Sequence, residues 1–339
     1  MKKIALIVVL AAAWFTACQE NRPETNQQTS AAPQNNTFSV AGLQLRLDAN
    51  PEWQYENLRI YPVVAEAGFI AKNSNLPELK TLAEAMASKG FSITEKKQFG
   101  REDDRWYNAL TVQNKTRDTV FLMSGAVVTG GNQDRVIAYD DIILPGTLKN
   151  IEVFCVESCR SHYYDESAPE SEKRVAAFRG YYNVASPRVR QAVHSGNQQG
   201  VWDAVARVTA DNQATSTTNT YAALETENDQ KTIREAYLHF FEGKLMYLPN
   251  VVGMVAVCNG RVIGVDIFGK PELFQRQYLA LMHGYAADAA VSGRDTPHAE
   301  PPVKNAFAKV AGLAAPESRS TADAGRFAVG EQLVHLFNK

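Results

Sequence analysis

The sequence lacks the marks of several specialised protein classes. Its 339 residues include only four cysteines, too few for a disulfide-built scaffold in a chain of this length. There are 35 Lys and Arg against 37 Asp and Glu, so no excess of positive charge favours nucleic-acid binding. No Cys-x-x-Cys or His-x-x-x-His spacing indicates zinc. Phosphate-loop, dinucleotide and nucleophile-elbow motifs are also absent, so we predict no cofactor and no metal.

The N-terminus carries the most specific signal. Lys2 and Lys3 precede an apolar segment, residues 4–15, which is shorter than the roughly 20 residues of a membrane-spanning helix. This pattern is typical of an export signal. Small residues before Cys18 fit a bacterial lipoprotein box, so we predict a signal peptide over residues 1–17 and acylation of Cys18, with palmitate among its acyl chains. A plain secretory signal and an uncleaved anchor are the alternatives.

The segment that follows Cys18 is polar and is predicted to be a disordered tether. Residues 18–37 are rich in Gln, Asn, Thr and Pro, and so cannot bury enough apolar surface to offset the entropy of ordering. Gln19 is not the Asp associated with inner-membrane retention. We therefore expect a protein of the bacterial cell envelope, held at the outer membrane through lipidated Cys18. Nothing in the sequence identifies a protein partner.

The first half of the folded chain reads mainly as strands. A polar turn at residues 114–118 predicts a hairpin between residues 106–113 and 119–123. One helix is expected over residues 77–90, from the proline at its start to the glycine at its end. The other predicted strands cover residues 43–47, 58–64, 136–138, 142–144 and 151–156.

Helices dominate after residue 158. Helices are predicted over residues 186–194, 198–211, 271–291 and from residue 228 or 229 onward. The last of these carries an apolar stripe formed by Ile233, Ala236, Tyr237, Phe240 and Phe241.

A β-hairpin and a closing strand pair complete the predicted elements. Asn259-Gly260 between residues 251–258 and 261–268 predicts a type I′ hairpin. A loop is expected over residues 293–305, and a strand pair over residues 325–337. Strands, then helices, then a late hairpin predict an α+β fold with a mainly antiparallel sheet. We expect one domain over residues 38–339.

One loop is a candidate functional site. In residues 129–135, Gly130 and Gly131 would let backbone N–H groups approach an anion, Gln133 could bind an amide edge and Arg135 a phosphate or carboxylate. If the strand over residues 151–156 lies beside this loop, Glu157 and Arg160 would converge with Arg135. The alternative is a structural hairpin with an ion pair. Cys155 and Cys159 can form a disulfide only if a turn brings them together.

These motifs resemble the ARG and rhodanese-phosphatase-superfamily-associated protein family, a domain of uncharacterised activity. The resemblance rests on TGGNQDRVI, FCVESCR and VVGMVAVCNGRVIGVDIFG and covers roughly residues 58–291. Many relatives carry an acid where this chain has Ala126, and the family's Gly-Arg-Trp reads Cys159-Arg160-Ser161. The family name implies a genomic association with ADP-ribose or nucleotide chemistry. Positions that match the family are Gly131, Gln133, Arg135, Cys155, Glu157 and Arg160.

The sequence therefore predicts a lipid-anchored envelope protein that binds a ligand or a partner. A small anion would be held by Gly130, Gly131, Gln133, Arg135 and Arg160. One alternative is a hydrolase or transferase acting on a nucleotide-like, ADP-ribose-like or sugar substrate, with Glu157 as general base. Another is a passive component of a surface complex, which would expose an apolar patch away from the loop.

Overall fold

The computed structural model of the protein describes residues 36–95, 108–160, 177–293 and 300–339. The predicted signal peptide, Cys18 and nearly all of the predicted tether lie outside the described residues. So does the beginning of the strand predicted over residues 106–113. The described residues belong to one compact unit of the chain, Asn35–Lys339.

The largest sheet joins strands from both ends of the chain. It is antiparallel throughout, in the order β1-β2-β4-β14-β15-β17-β16, with β3 also paired to β4. Its strands within the described residues are β1 (Thr37–Val40), β2 (Leu43–Arg46), β3 (Gln54–Tyr55), β4 (Leu58–Ala65), β14 (Val251–Cys258), β15 (Arg261–Phe268), β16 (Ala324–Val329) and β17 (Gln332–Asn338).

The hairpin predicted around Asn259-Gly260 is confirmed in this sheet. Strands β14 and β15 pair from Cys258 and Arg261 outward. Asn259 and Gly260 have φ angles of +48° and +73°, the two positive values that a type I′ turn requires. The predicted closing strand pair is confirmed as well, because β17 pairs with both β16 and β15.

A second sheet contains the candidate loop, and a smaller sheet lies beside it in the chain. The second sheet has the order β13-β9-β10-β12-β7-β6, and the small one has the order β11-β8-β5. In the small sheet β5 runs parallel to β8. The strands are β5 (Leu79–Thr81), β6 (Phe91–Glu95), β7 (Ala109–Asn114), β8 (Thr119–Leu122), β9 (Ala126–Gly130), β10 (Arg135–Ile137), β11 (Asp141–Ile143), β12 (Leu148–Cys155) and β13 (Phe178–Val184).

Helices cover the faces of the two larger sheets. The described helices are α1 (Ala67–Lys72), α2 (Leu82–Met86), α3 (Pro187–His194), α4 (Gln198–Asp211), α5 (Asp229–Phe241), α6 (Pro271–Ala289) and α7 (Glu300–Ala311). Helices α5 and α6 pack on one face of the largest sheet, and α7 packs on the other. Every residue of β14 is buried because both faces are covered, which explains its unbroken apolar sequence. No described helix is long and apolar enough to cross a membrane.

The α+β class with mainly antiparallel sheets is confirmed. The helix predictions for α3, α4 and α6 are confirmed within three residues at their ends. Helix α5 begins after Asn228, whose Oδ1 accepts a hydrogen bond from the Lys231 N–H at 2.7 Å. Its predicted apolar stripe is wrong at Ile233, which is 40% exposed, whereas neighbouring Arg234 is buried.

The helix predicted over residues 77–90 is wrong in its first part. Leu79–Thr81 forms the strand β5, and helical structure begins only at Leu82. Thr81 ends the strand and caps the helix, because its Oγ1 accepts from the Glu84 N–H while Glu84 Oε2 accepts from the Thr81 N–H. Pairing with β8, distant in sequence, overrides the local helical pattern.

The hairpin predicted between residues 106–113 and 119–123 is also wrong. Strand β7 pairs with β6 and β12, whereas β8 pairs with β11 and β5. The buried Asn114 redirects the chain between the two sheets. Its Nδ2 donates to the carbonyl oxygens of Asp118 at 2.8 Å and Ile143 at 3.2 Å. The loop predicted over residues 293–305 is wrong from Glu300, where α7 begins with two prolines in its first turn.

Candidate functional site

The predicted ligand-binding loop, residues 129–135, connects β9 to β10, and we call it the glycine loop. Gly130 and Gly131 have φ angles of +112° and +58°, which residues with side chains rarely adopt. A Cβ atom on Gly131 would lie 2.4 Å from Cζ of Phe178. The Gly130 N–H donates to Asp134 Oδ1 at 2.9 Å. The backbone turn and its packing therefore require both glycines, whether or not a ligand binds there.

Arg135 lies beneath the glycine loop and is almost fully buried. In the sheet it pairs with Cys155, and its guanidinium contacts the Cys155 Sγ. Its Nη1 donates to Gln133 Oε1 at 2.9 Å, and its Nη2 lies 3.5 Å from Glu95 Oε1. Gln133 in turn donates through Nε2 to the Glu157 carbonyl oxygen at 2.9 Å. Arg135 is 2% exposed, so its charge is balanced inside the protein.

Arg160 and Glu157 form the other half of the same cluster. Arg160 Nη2 lies 2.6 Å from Glu157 Oε2 and 3.2 Å from Asp134 Oδ1. Its Nη1 donates to the Gly131 carbonyl oxygen at 3.0 Å. The Asp134 N–H donates to Glu157 Oε2 at 2.9 Å. The structure thus brings Arg135, Glu157 and Arg160 to one end of the second sheet, as the sequence predicts.

The hydrogen bonds of this glycine-loop cluster favour a structural role. Its two guanidinium groups face three carboxylates, those of Glu95, Asp134 and Glu157. Burial raises the pKa of Asp134. Burial alone would also raise the pKa of Glu157, but hydrogen bonds from Arg160 and other donors outweigh it and lower that pKa. A buried carboxylate with a lowered pKa is a weak general base. The ligand-binding and catalytic assignments in this cluster stay predictions.

The cysteines next to the cluster are unpaired. Cys155 is buried, Cys159 is exposed, and both are free thiols. Burial raises the pKa of the Cys155 thiol, so it is a poor nucleophile at neutral pH. Within the described ranges, no group of His, Cys, Asp and Glu side chains could hold a metal ion.

A second charged cluster, which the sequence does not reveal, lies in the core. Asp266 on β15 accepts from Arg190 on α3 through two parallel hydrogen bonds, of 3.0 Å from Nη1 and 2.6 Å from Nη2. His335 on β17 lies between two carboxylates, with Nδ1 2.7 Å from Asp140 Oδ2 and Nε2 3.2 Å from Asp266 Oδ1. The Tyr285 hydroxyl on α6 donates to Asp266. We call these five residues the core network.

The core network is balanced only when His335 is protonated. Two carboxylates face Arg190 and His335, and His335 and Asp266 are fully buried. Burial alone would lower the pKa of His335, but Asp140 and Asp266 raise it. Burial alone would raise the pKa of Asp266, but Arg190 and His335 hold it far below its usual range. The network therefore ties α3, α6 and two strands of the largest sheet together by charge.

A cavity of about 640 Å³ lies at the outer end of the β14–β15 hairpin, and we call it the hairpin cavity. Helix α3 contributes Arg188 and Arg190, the hairpin contributes Asn259 and Arg261, and the end of α6 contributes Asp288. Its volume lies within the range of about 300–1,000 Å³ that is usual for small-molecule sites. It is polar at the hairpin turn, and it borders the core network through Arg190.

Sequence reasoning found the glycine-loop cluster but missed the hairpin cavity and the core network. The predicted members come from segments about 20 residues apart whose strands pair, so local patterns indicated them, whereas Glu95, on the more distant strand β6, was missed. In contrast, the core network joins residues 140, 190, 266, 285 and 335, and no local spacing relates them. The only local signal was an acid, Asp266, in an otherwise apolar strand, where burial demands a partner.

One family profile matches most of the chain. The profile of the ARG and Rhodanese-Phosphatase-superfamily-associated Protein domain (ARPP-1) matches residues 46–334, a longer stretch than the resemblance over residues 58–291. No curated protein and no solved structure shows significant similarity to the chain.

Proposed function

The chain belongs to the ARPP-1 family, and from this premise we propose that it is an exported lipoprotein that binds a small polar ligand. The family is one of uncharacterised activity, so the proposal rests on the chain itself. Export and anchoring are supported by the basic and apolar segments before Cys18. Gln19 supports the outer membrane as the site of anchoring. Ligand binding is supported by the geometry of the folded domain.

The observation that carries ligand binding is the hairpin cavity. It combines a volume of about 640 Å³ with charged and amide side chains from three elements. In the glycine-loop cluster, by contrast, Arg135 is engaged by Glu95 and Gln133, and Arg160 is engaged by two carboxylates and the Gly131 carbonyl oxygen. A ligand there would have to displace those bonds. The cavity therefore offers the better site, and the glycine loop stays a second possibility for the same function.

A thermal-shift screen of the full chain in detergent tests ligand binding. The panel contains organic acids, sugars, nucleotides, ADP-ribose and amino acids. We expect at least one compound to raise the melting temperature by mass action. We expect Arg261→Gln to abolish that shift, because Arg261 lines the cavity. The control Arg179→Gln, at an exposed residue of β13, should leave it unchanged.

Three other outcomes would change the proposal. If Arg160→Gln abolishes the shift and Arg261→Gln does not, the glycine loop is the site. If a nucleotide or ADP-ribose is consumed during the screen, the enzyme alternative replaces simple binding. If no compound raises the melting temperature, the passive structural role is the better account. That role is favoured by three exposed apolar side chains, Tyr139, Leu144 and Leu148, which are 58%, 57% and 68% exposed.

A further inference from the structure

The floor of the hairpin cavity holds hydrogen-bond acceptors that lack donors. Asp288 is 7% exposed; its carboxyl group accepts a hydrogen bond from the Arg188 backbone N–H, but its Oδ1 accepts none among the described residues. Arg188 Nε lies 3.4 Å from this atom, which is an ion pair without hydrogen-bond geometry. The Oδ1 of Asn259, also buried, likewise lacks a donor within the described part of the chain. Unpaired buried acceptors are rare in folded proteins, and each calls for a donor such as an ordered water or a ligand group.

The hydrogen bonds of the turn leave the Oδ1 atom of Asn259 without a donor. The Asn259 Nδ2 donates to the Ser292 carbonyl oxygen at 3.1 Å, and the Asn259 N–H donates to the Asn57 carbonyl oxygen at 3.1 Å. The backbone N–H and the Nδ2 of Asn259 therefore both donate to protein carbonyl oxygens. The side-chain oxygen lies on the other side of the amide and cannot share these partners. The type I′ turn thus holds an acceptor at the cavity.

The rim of the same cavity carries a cation without a counter-ion. Arg261 is exposed, and its side chain has no hydrogen bond or ion pair within the described residues. The other arginines differ from it. Arg190 is neutralised by Asp266, and Arg188 lies 2.6 Å from Asp211. Arg261 is therefore the lining guanidinium that is available to an acidic group.

We infer that the hairpin cavity binds a small zwitterion, an amino acid or short peptide, with its ammonium group at Asp288 and Asn259 and its acidic group at Arg261. This inference rests on the proposed ligand-binding function. An ammonium supplies the donors that both acceptors lack, and its bond to a carboxylate is charge-assisted. A guanidinium binds a carboxylate through two parallel hydrogen bonds. A neutral ligand or a simple anion would leave one end of the cavity unpaired.

Calorimetry with the full chain in detergent tests this inference. The probes are the twenty L-amino acids and a set of dipeptides, each dipeptide in three forms: free, N-acetylated and C-terminally amidated. We expect at least one free form to bind. Acetylation removes the ammonium and amidation removes the carboxylate, so each blocked form should bind about ten- to a hundredfold more weakly.

Two variants locate the contacts. Asp288→Asn should weaken the free form by a similar factor and should no longer discriminate against the acetylated form. Arg261→Gln should abolish discrimination against the amidated form, and because Arg261 is exposed, this variant tests the inference even if Asp288→Asn fails to fold. The controls are Asp323→Asn, at a carboxylate that is 69% exposed, and Arg179→Gln.

The possible failures are distinguishable. If the acetylated form binds as tightly as the free form, the zwitterion inference is wrong, but an Arg261-dependent ligand would still support the proposed function. If no amino acid or dipeptide binds, the inference is overturned, while binding of an organic acid, sugar or nucleotide would leave the proposed function intact. If no compound of any class binds, both proposals fall together.

Discussion

At the scale of single residues, His335 is a fully buried titratable group whose protonation state should affect stability. It stacks on Phe268 with ring centroids 4.5 Å apart and has no exposure to solvent. Arg190 and Tyr285 donate hydrogen bonds to Asp266, which also contacts the His335 ring. The other ring nitrogen, Nδ1, lies next to Asp140. The two carboxylates that contact His335 within the described residues, those of Asp140 and Asp266, both belong to the core network. The raised pKa of His335 favours a cationic ring, which would act as a counter-ion to Asp140 and Asp266.

The stability contribution of His335 should depend on pH with a definite sign. Because its pKa is raised in the folded protein, this contribution is fully present below the unfolded value of about 6.5. It is lost as pH rises through the folded pKa. We expect His335→Gln to lower the free energy of unfolding by about 3–5 kcal/mol at pH 6. The loss should shrink as pH rises. Urea denaturation across pH 6 to 9 measures it.

The control for this prediction is His239→Gln. The side chain of His239 is 90% exposed, so its replacement should change stability by less than about 0.5 kcal/mol at any pH. A loss at His335→Gln that stays constant from pH 6 to pH 9 would mean that the ring acts through packing alone. A protonated counter-ion in the core would then be ruled out.

At the scale of elements, sequence patterns correctly predicted the elements that are determined by residues close together in the chain. The β14–β15 hairpin and helix α6 are of this kind, because turn chemistry and a long amphipathic pattern decide them. The helix prediction for residues 79–81 is wrong because their partner strand β8 lies 40 residues away, and strand pairing outweighs helix propensity. The hairpin predicted for strand β7 is wrong for the same reason, since the partners of β7 come from residues 91–95 and 148–152.

The glycine loop and the strand that follows it should behave as a structural element. Arg135→Met would leave the buried carboxylate of Glu95 without its ion pair. Removing one partner of a buried pair costs about 3–5 kcal/mol, so we expect a loss of that size in urea denaturation. Arg179→Gln on the neighbouring strand β13 is the control and should have little effect. An Arg135→Met variant of unchanged stability that no longer binds its ligand would instead make Arg135 a binding residue.

At the scale of the whole molecule, the folded body combines buried apolar clusters with buried charged groups. Four clusters of buried apolar side chains lie on the faces of the two larger sheets. The core network links helix α3, which packs on the second sheet, to strands of the largest one. The hairpin cavity lies over this junction, because Arg190 belongs to both. A ligand there would contact elements that pack on both sheets.

The proposed anchoring concerns the whole chain, and a substitution of Cys18 tests it. We expect Cys18→Ser to move almost all of the protein from the membrane fraction to the soluble or unprocessed fraction, because the acyl chains supply the membrane affinity. Fractionation together with the mass of the N-terminal peptide measures the change. Cys159→Ala, at an exposed free cysteine, is the matched control and should stay in the membrane fraction. Membrane retention of Cys18→Ser without acyl mass would contradict lipid anchoring.

The sequence by itself determined the α+β class, the late hairpin, most helices and the convergence of the glycine-loop residues. It did so because propensity, turn chemistry and pairing between strands near in sequence leave traces in short windows. Only the tertiary structure decided that carboxylates engage both guanidinium groups of this cluster and that Asp266 has Arg190 and His335 as partners. It also decided that a cavity opens beside Arg261 and Asp288. Burial and charge pairing depend on which distant segments meet, and no local pattern records that.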